Sequence, residues 1–269
     1  MNRPLIALLT DFGLEDTYVG VMKGVIKGIC PNAEMIDLTH RVRRQSVAEA
    51  AFLLATSYRH FPDGTTFLCV VDPGVGSDRA AIAVASGSHR FVAPDNGLLS
   101  LVWRQGTDLR AHAITNPDLQ LPDVSATFHG RDIFAPAAAH LAHGTPLSDL
   151  GPALPDIELL AYAHPVHDGA GSALASVLHI DTFGNIITNI RHADLPRELD
   201  SESLEIELGG ETVKGLLRTY SAVEGGEALL HWGSSGHLEV AVREGDAAKQ
   251  FQVSVGDTLR LRWAAPVGT

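Results

Sequence analysis

The sequence predicts an α/β N-terminal domain with a mostly parallel central sheet, residues 1–160, followed by a smaller all-β C-terminal domain, sandwich or barrel-like, residues 161–269. Three observations carry that expectation. The run FLCVV, Phe67 to Val71, is apolar without interruption, as a strand buried on both faces must be. Through the first half of the chain such runs alternate with segments of helical spacing, the pattern of a parallel sheet with covering helices. Beyond residue 170 the pattern changes to short alternating strands separated by glycine turns.

In order along the chain, PLIALLT (Pro4 to Thr10) reads as a first buried strand and DFGLEDTYVG as a loop. VMKGVIKGIC takes up helical spacing that places Val21, Val25, Ile26 and Ile29 on one face, with Pro31 as its stop. AEMIDLTH is a second strand ending in Asp37 and His40, and SVAEAAFLLATSYRHF is an amphipathic helix that Ser46 and Glu49 would open as a capping box. After the Phe67 strand, AAIAVASGSHRFVAPDNGLLSLVW reads as two strands joined by a Gly-Ser turn, then a helix entered through Asp95-Asn96-Gly97. A further helix runs from about Arg131 to a C-cap at Gly144. The proline-rich stretch from Gly144 to Ala170 suits an interdomain connection. ASVLHID, NIITNI, SLEIELGG, ETVKGLL, HLEVAV and TLRLRW then supply the strands of the second domain, with turns at Gly209-Gly210, Gly225-Gly226, Gly233 and Gly256-Asp257.

Composition narrows the function. With 20 basic against 32 acidic residues the formal charge is −12, and basic residues cluster only at Arg41-Val42-Arg43-Arg44, so nucleic acid is not expected as a partner while a small cationic ligand is. The first strand is too short for a signal peptide and no segment reaches membrane-spanning length, which makes the cytoplasm the default location and a membrane partner unexpected. Cys30 and Cys69 stand in neither CxxC nor metal spacing and read as reduced, structural residues. No H-x-x-x-H or H-x-H pair accompanies a carboxylate, so no metal is expected.

Five polar stretches are placed to carry chemistry. Asp72 ends the Phe67 strand before Pro73-Gly74, with Arg79 a short loop away; it is either ordinary turn chemistry or the rim of a pocket at the carboxyl end of the sheet. Thr10-Asp11-Phe12-Gly13, followed by Glu15 and Asp16, puts carboxylates at the end of the first strand, where they suit a ribose diol or, for Asp16 and Thr17, a helix cap. G-x-G-x-x-G is absent, which argues against a dinucleotide cofactor. His129, in TFHGRD, precedes a helix N-terminus whose partial positive charge favours the neutral ring. Asp181-Thr182-Phe183-Gly184-Asn185 and Trp232-Gly233-Ser234-Ser235-Gly236 are hairpin turns or ligand loops.

Taken together and in order, LLTDFGLEDTYVGVMKGVI, VVDPGVGSDR, APDNGLL, TFHGRDIFAP, IDTFGNIITNI and GSSGHLEVAV resemble the S-adenosyl-L-methionine (SAM) hydroxide adenosyltransferases, the adenosine-forming SAM hydrolases related to the fluorinase and chlorinase, over nearly the whole chain. The resemblance implies an N-terminal α/β domain and a C-terminal β-barrel domain, a homotrimer, and SAM bound between one subunit's N-terminal domain and its neighbour's C-terminal domain. It implies that Asp72, Arg79 and His129 hold the attacking water, that Asp11 binds the ribose diol, and that Asp16, Asp181 and Ser235 lie at the methionine end. Phe183, Asn185 and Tyr220 would enclose the adenine, assisted by backbone near Arg243 to Gly245. Where the fluorinase lines its halide pocket with Tyr, Thr and Ser, this chain has Asp72, Val75 and Gly130, and a carboxylate at the nucleophile site repels a halide.

The implied reaction suits these residues. A sulfonium leaves as a neutral thioether without a general acid, so positioning one water in line with ribose C5′ is the main task, with SAM as substrate and no cofactor. Asp72 would accept the water's proton, Arg79 would keep Asp72 ionised and His129 would complete the water's hydrogen bonds. The rival readings are a halogenase of the same superfamily, a SAM- or adenosine-binding protein without catalysis, and a metal-dependent hydrolase.

Overall fold

In the computed structural model, which describes residues 3–161, 164–169 and 171–264, the FLCVV run forms an interior strand, third from one edge, of a seven-stranded sheet. The chain divides into two compact units, Met1–Leu160 and Ala161–Thr269. In the first, β1 (Leu5–Thr10), β2 (Glu34–Thr39), β3 (Thr66–Val70), β4 (Ala81–Ser86), β5 (His89–Pro94), β6 (Arg110–Ala113) and β7 (Ala153–Leu154) stand in the order β2-β1-β3-β5-β4-β6-β7. Every residue of β3 is buried because the sheet is covered on both sides. Ile6, Leu8, Leu68 and Val70 pack under α1 (Tyr18–Ile29) and α4 (Ala135–His143), while Ala7, Leu9, Phe67 and Cys69 pack under α2 (Val47–Ser57) and α3 (Ser100–Gln105). Phe67 stacks on Phe91 with ring centroids 5.1 Å apart, and truncating such a buried ring to Ala costs about 3–5 kcal/mol.

Within this α/β class the sheet is more mixed than the alternation of elements suggested. Pairings β1–β2, β1–β3 and β3–β5 are parallel, whereas β4–β5, β4–β6 and β6–β7 are antiparallel. The cause is local: Gly87, at φ +55°, lets β4 fold straight back as β5 with no crossover helix. Strand β7 also draws part of the proline-rich stretch into this sheet rather than leaving it all as connection.

Three other expectations need correction. The buried stripe of α1 is Val19, Met22 and Ile26, with Val25 and Ile29 partly covered, while Val21 is exposed. The capping box at Ser46 does not form, because Glu49 Oε2 instead accepts hydrogen bonds from Arg43 N and Nε, each 3.0 Å. The helix expected from about Arg131 opens as a π-helical turn over Gly130–Phe134 before continuing as α4, which ends at Gly144, φ +112°, as expected.

The second unit is a nine-stranded, nearly closed sheet. Strands β9 (Ser172–Ile180), β10 (Ile186–Arg191), β11 (Glu205–Leu208), β12 (Glu211–Lys214), β13 (Leu216–Leu217), β14 (Ala228–Trp232), β15 (His237–Val242) and β16 (Thr258–Arg262) follow the order β12-β11-β16-β9-β10-β15-β14-β13, with β8 (Val166–Gly169) beside β9. Strand β12 comes to rest against β14 across the seam. The inward residues Val177, Ile186, Leu230, Val240 and Leu261 fill the barrel core. Strands β8 and β14 and a short helix, α5 (Ala247–Phe251), were not anticipated; Asp246 opens that helix by accepting from Lys249 N at 2.9 Å.

Candidate active site

Asp72, Arg79 and His129 meet in one hydrogen-bonded cluster just beyond the carboxyl end of β3. Arg79 Nε donates to Asp72 Oδ1 at 3.0 Å and Nη2 to Oδ2 at 2.5 Å, a bidentate pair whose side chains are 10% and 5% exposed. Arg79 Nη2 also lies 2.7 Å from His129 Nδ1, and Nη1 donates to the Ala80 carbonyl at 3.4 Å. The guanidinium rests on the Phe134 ring, 5.2 Å from its centroid.

That arrangement fixes the state of the histidine. A guanidinium has only donors, so Nδ1 must accept and the neutral ring carries its proton on Nε2. Burial, then the Arg79 charge, lowers the His129 pKa below its ordinary value; Asp72 and Asp132 oppose the shift without reversing it. The neutral ring expected from the sequence is therefore held by a specific partner.

The supporting residues explain why the three side chains converge. Gly76, at φ +80°, brings the Asp72–Arg79 loop so close to the next segment that a Cβ there would lie 2.6 Å from the Ala126 carbonyl oxygen. Asp132, fully buried, accepts from Ser125 N at 2.8 Å and from Arg131 Nε at 2.5 Å, tying that segment to the π turn that begins beside His129. Burial raises the Asp132 pKa, but Arg131 and the Ser125 N–H outweigh it and the carboxyl sits below its ordinary value. Asn96 Nδ2 donates to the Val71 carbonyl at 2.9 Å, holding the backbone immediately before Asp72.

Asp11 stands at the end of β1, the parallel neighbour of β3, with Oδ2 accepting from Gln45 N at 2.8 Å. Gln45 adopts φ +64°, a left-handed conformation that costs a non-glycine residue about 1–3 kcal/mol and tends to mark functional sites. Beneath Asp11, Thr10 Oγ1 lies 2.8 Å from His40 Nδ1, and His40 Nε2 lies 3.0 Å from Asp37 Oδ1, which also pairs with Lys23. Asp16 is exposed, and Thr17, the N-cap residue of α1, makes no side-chain hydrogen bond, so neither side chain caps the helix. Phe12, Tyr18 and Phe128 form an aromatic trio with centroids 5.1–6.1 Å apart. Gly130 sits against it: a Cβ there would meet Phe128, Phe12 and Met22 Sδ at 3.3–3.4 Å.

The residues expected at the far end of the ligand lie in the second unit. Asp181 Oδ1 accepts from Phe183 N and Asn185 N, each 2.9 Å, and Oδ2 accepts from Asn185 Nδ2 at 2.9 Å. Asn185 Nδ2 also approaches the Tyr220 hydroxyl at 3.5 Å. Phe183 is 75% exposed and Tyr220 44%, so two aromatic rings flank the buried Asn185 amide. Ser235 Oγ lies 3.1 Å from His237 Nδ1, and Arg243 Nη1 donates to the Val223 carbonyl at 2.7 Å. Tyr220 also meets His231, centroids 4.7 Å apart, beside Glu239.

Sequence reasoning missed Gln45, Asn96, the Phe12–Tyr18–Phe128 trio, His231 and Glu239. Only Asn96, in an Asp-Asn-Gly turn, and Tyr18, at a helix start, carried any local signal. Among the described residues no group of three or more His, Cys, Asp or Glu could hold a metal ion, and no helix is long and apolar enough to cross a membrane.

Comparison with known proteins covers both units. Residues 6–151 match the SAM hydroxide adenosyltransferase N-terminal domain and residues 175–260 its C-terminal domain. The chain is 39% identical to the (R)-S-adenosyl-L-methionine hydrolase of Thermus thermophilus over 96% of its length and 99% of the relative's. It is 41% identical to the hydrolase of the same name from Salinispora tropica, covering 96% and 97%. A fluorinase of Actinoplanes sp. is more distant at 29%, covering 97% of this chain and 98% of the relative. Among solved structures, an uncharacterized conserved protein from Thermotoga maritima superposes with a TM-score of 0.87 at 40% identity, covering 96% of this chain and 99% of the other.

Proposed function

The chain belongs to the SAM hydroxide adenosyltransferase family, and from that premise we propose that it hydrolyses SAM to adenosine and L-methionine, with Asp72, Arg79 and His129 holding the attacking water. The observation that carries this reading is the closed Asp72–Arg79–His129 cluster. His129 Nε2–H offers the water a donor, and an Asp72 lone pair not used by Arg79 accepts one of its protons. The water oxygen forms a bond to ribose C5′ as the C5′–S bond breaks; the bonding pair goes to sulfur and cancels its positive charge. The water's proton leaves through Asp72. Arg79 takes no proton in this scheme; it fixes the carboxylate and the imidazole in one geometry, which is how positioning lowers the barrier.

Asp11 would bind the ribose diol and Asp16 the methionine end. From the second unit, Asp181 and Ser235 would serve the methionine end, and Phe183, Asn185, Tyr220 and the backbone near Arg243 the adenine. A homotrimer with SAM between the N-terminal unit of one subunit and the C-terminal unit of the next is part of the same proposal.

Two observations favour water over halide. At least four of the five Arg79 N–H groups are already engaged by Asp72, His129 and Ala80, which leaves almost nothing for an anion. At Gly130 a hydroxymethyl group, which could contact a halide, would crowd Met22, Phe128 and Phe12. The test is chromatography of products after mixing the protein with SAM, in chloride and in labelled water. Adenosine with its 5′-oxygen from solvent is expected; 5′-chloro-5′-deoxyadenosine would establish a halogenase, and SAM returned intact would establish a binding protein.

A further inference from the structure

The outer face of the β10–β15–β14 ribbon carries polar groups that the proposed chemistry does not use. Strand alternation places Glu239 on that face, directly opposite Ile187 of β10 and His231 of β14, while Val240 and Leu230 point into the barrel core. Glu239 and His231 are nonetheless buried, with side chains 10% and 7% exposed. The carboxyl lies so close over Gly233 that a Cβ there would fall 1.7 Å from Glu239 Oε1, so only glycine leaves it this position.

Around this carboxyl there are acceptors and hardly any donors. Asp181 is its charged neighbour, another acceptor: Oδ1 accepts from Phe183 N and Asn185 N, and Oδ2 accepts one bond, from Asn185 Nδ2, and keeps a free lone pair. Burial lowers the His231 pKa and favours the neutral ring, against the Trp232 backbone, which favours the protonated form. Among the described residues Nε2 has no hydrogen-bond partner, and it lies 3.6 Å from Glu239 Oε2, too far for a hydrogen bond. A buried carboxyl and a buried imidazole nitrogen thus face one another with no hydrogen bond between them. The other titratable groups around the carboxyl are Tyr220, before β14, and His237, on the same face of β15 and opposite Arg191.

We propose that Glu239, together with His231 Nε2, receives the α-ammonium group of the ligand's amino-acid part. Three N–H donors on one cationic nitrogen are the complement of this acceptor cluster, and the ammonium supplies the positive charge that two neighbouring carboxylates lack. The inference rests on the reading of the chain as a SAM-binding protein, and adds a group that the Asp181 and Ser235 assignments leave out. It also accounts for the electrostatics: burial first, and Asp181 second, push the Glu239 pKa up to about 7, the state of an acid waiting for a cation.

The test uses two unreactive probes, S-adenosyl-L-homocysteine, which carries the ammonium, and 5′-methylthioadenosine, which lacks the amino-acid part. Binding of each to the wild type, Glu239→Gln and Gly233→Ala is measured by titration calorimetry at pH 7 in two buffers of different ionisation enthalpy. For S-adenosyl-L-homocysteine, both variants should weaken binding about 10- to 100-fold, the weight of one charge-assisted hydrogen bond. Affinity for 5′-methylthioadenosine should stay within about twofold of wild type, because that ligand never meets the carboxyl. The wild type should release a proton on binding the first probe and Glu239→Gln should not. Equal weakening of both probes, or none, in Glu239→Gln would overturn the inference while leaving the SAM reading intact. A wild type that bound neither probe would remove that reading, and the inference with it.

Discussion

Around Asp72, in the N-terminal unit, the polar groups come matched, while around Glu239, in the C-terminal unit, they do not. Arg79 supplies donors to both Asp72 oxygens and to His129, so a carboxylate, a guanidinium and an imidazole close on one another with a net charge of zero. Around Glu239 the count runs the other way, with acceptors left facing acceptors. A matched cluster is rigid before anything binds, which suits a group that must aim a small neutral nucleophile. An unmatched one is destabilised until a ligand completes it, which suits recognition of a charged substrate. On the proposed reading, the first cluster serves turnover and the second serves selection.

The largest effects should come from breaking the matched cluster. Asp72→Ala, Arg79→Ala and His129→Ala are each expected to slow adenosine release from SAM about 10²- to 10⁴-fold, and unchanged rates in all three would sink the assignment. Arg79→Ala should also lower stability by about 3–5 kcal/mol in chemical denaturation, because it strands a buried carboxylate, whereas Asp72→Ala with Arg79→Ala together should cost less than the sum.

Next in size is the pH dependence of the unmatched cluster. Since the folded state binds the Glu239 proton more tightly than the unfolded state does, with a pKa of about 7 against 4.5, stability is greatest at low pH and declines as pH rises from 4.5 through 7. The decline attributable to this group is about 3 kcal/mol. Thermal midpoints of the wild type should therefore fall between pH 5 and pH 8 by more than those of Glu239→Gln; parallel curves would show that the carboxyl is not the source.

Smaller effects probe the frame. Gly76→Ala should cost about 1–3 kcal/mol through its positive φ, and turnover should fall with it as the Arg79 loop backs away from Ala126. The smallest expected change is an acid limb from His129. Its folded pKa lies below the unfolded value, so protonation opposes folding: the stability it contributes is complete above about pH 6.5 and is lost as pH falls towards the folded pKa. The acid limb of the pH–rate profile should lie below the ordinary imidazole range, since a protonated Nδ1 would confront Arg79; a limb that His129 sets at or above about pH 6.5 would contradict the tautomer.

Much of this was legible in residues. The doubly covered β3 strand, Asp72 at its end, the Gly144 stop and the Asp181 turn each follow from local pattern, because burial on two faces and positive φ leave strong compositional marks. What failed was competition between partners. Ser46 and Glu49 have the spacing of a capping box, but Arg43 takes the glutamate. Glu239 occupies a polar position of the alternating strand HLEVAV, and alternation gives no sign that the barrel's outer face is buried there. The α1 stripe falls one residue away from Val21 because Val19 and Met22 set its phase.

The π-helical turn at Gly130–Phe134 has a consequence of its own. Its closing bond runs from Ala135 N to the Gly130 carbonyl, one residue wider than an α-helical bond, so the turn holds a one-residue surplus. Each residue of an α-helix advances the chain by about 100°, so removing that surplus would let α4 continue as an unbroken helix while swinging His129 through a quarter turn or more, out of reach of Arg79. A shortened chain of this kind would have the more regular hydrogen bonding and would lose the contact between His129 and Arg79. The direction of the imidazole is thus set by one residue more than a regular helix would hold.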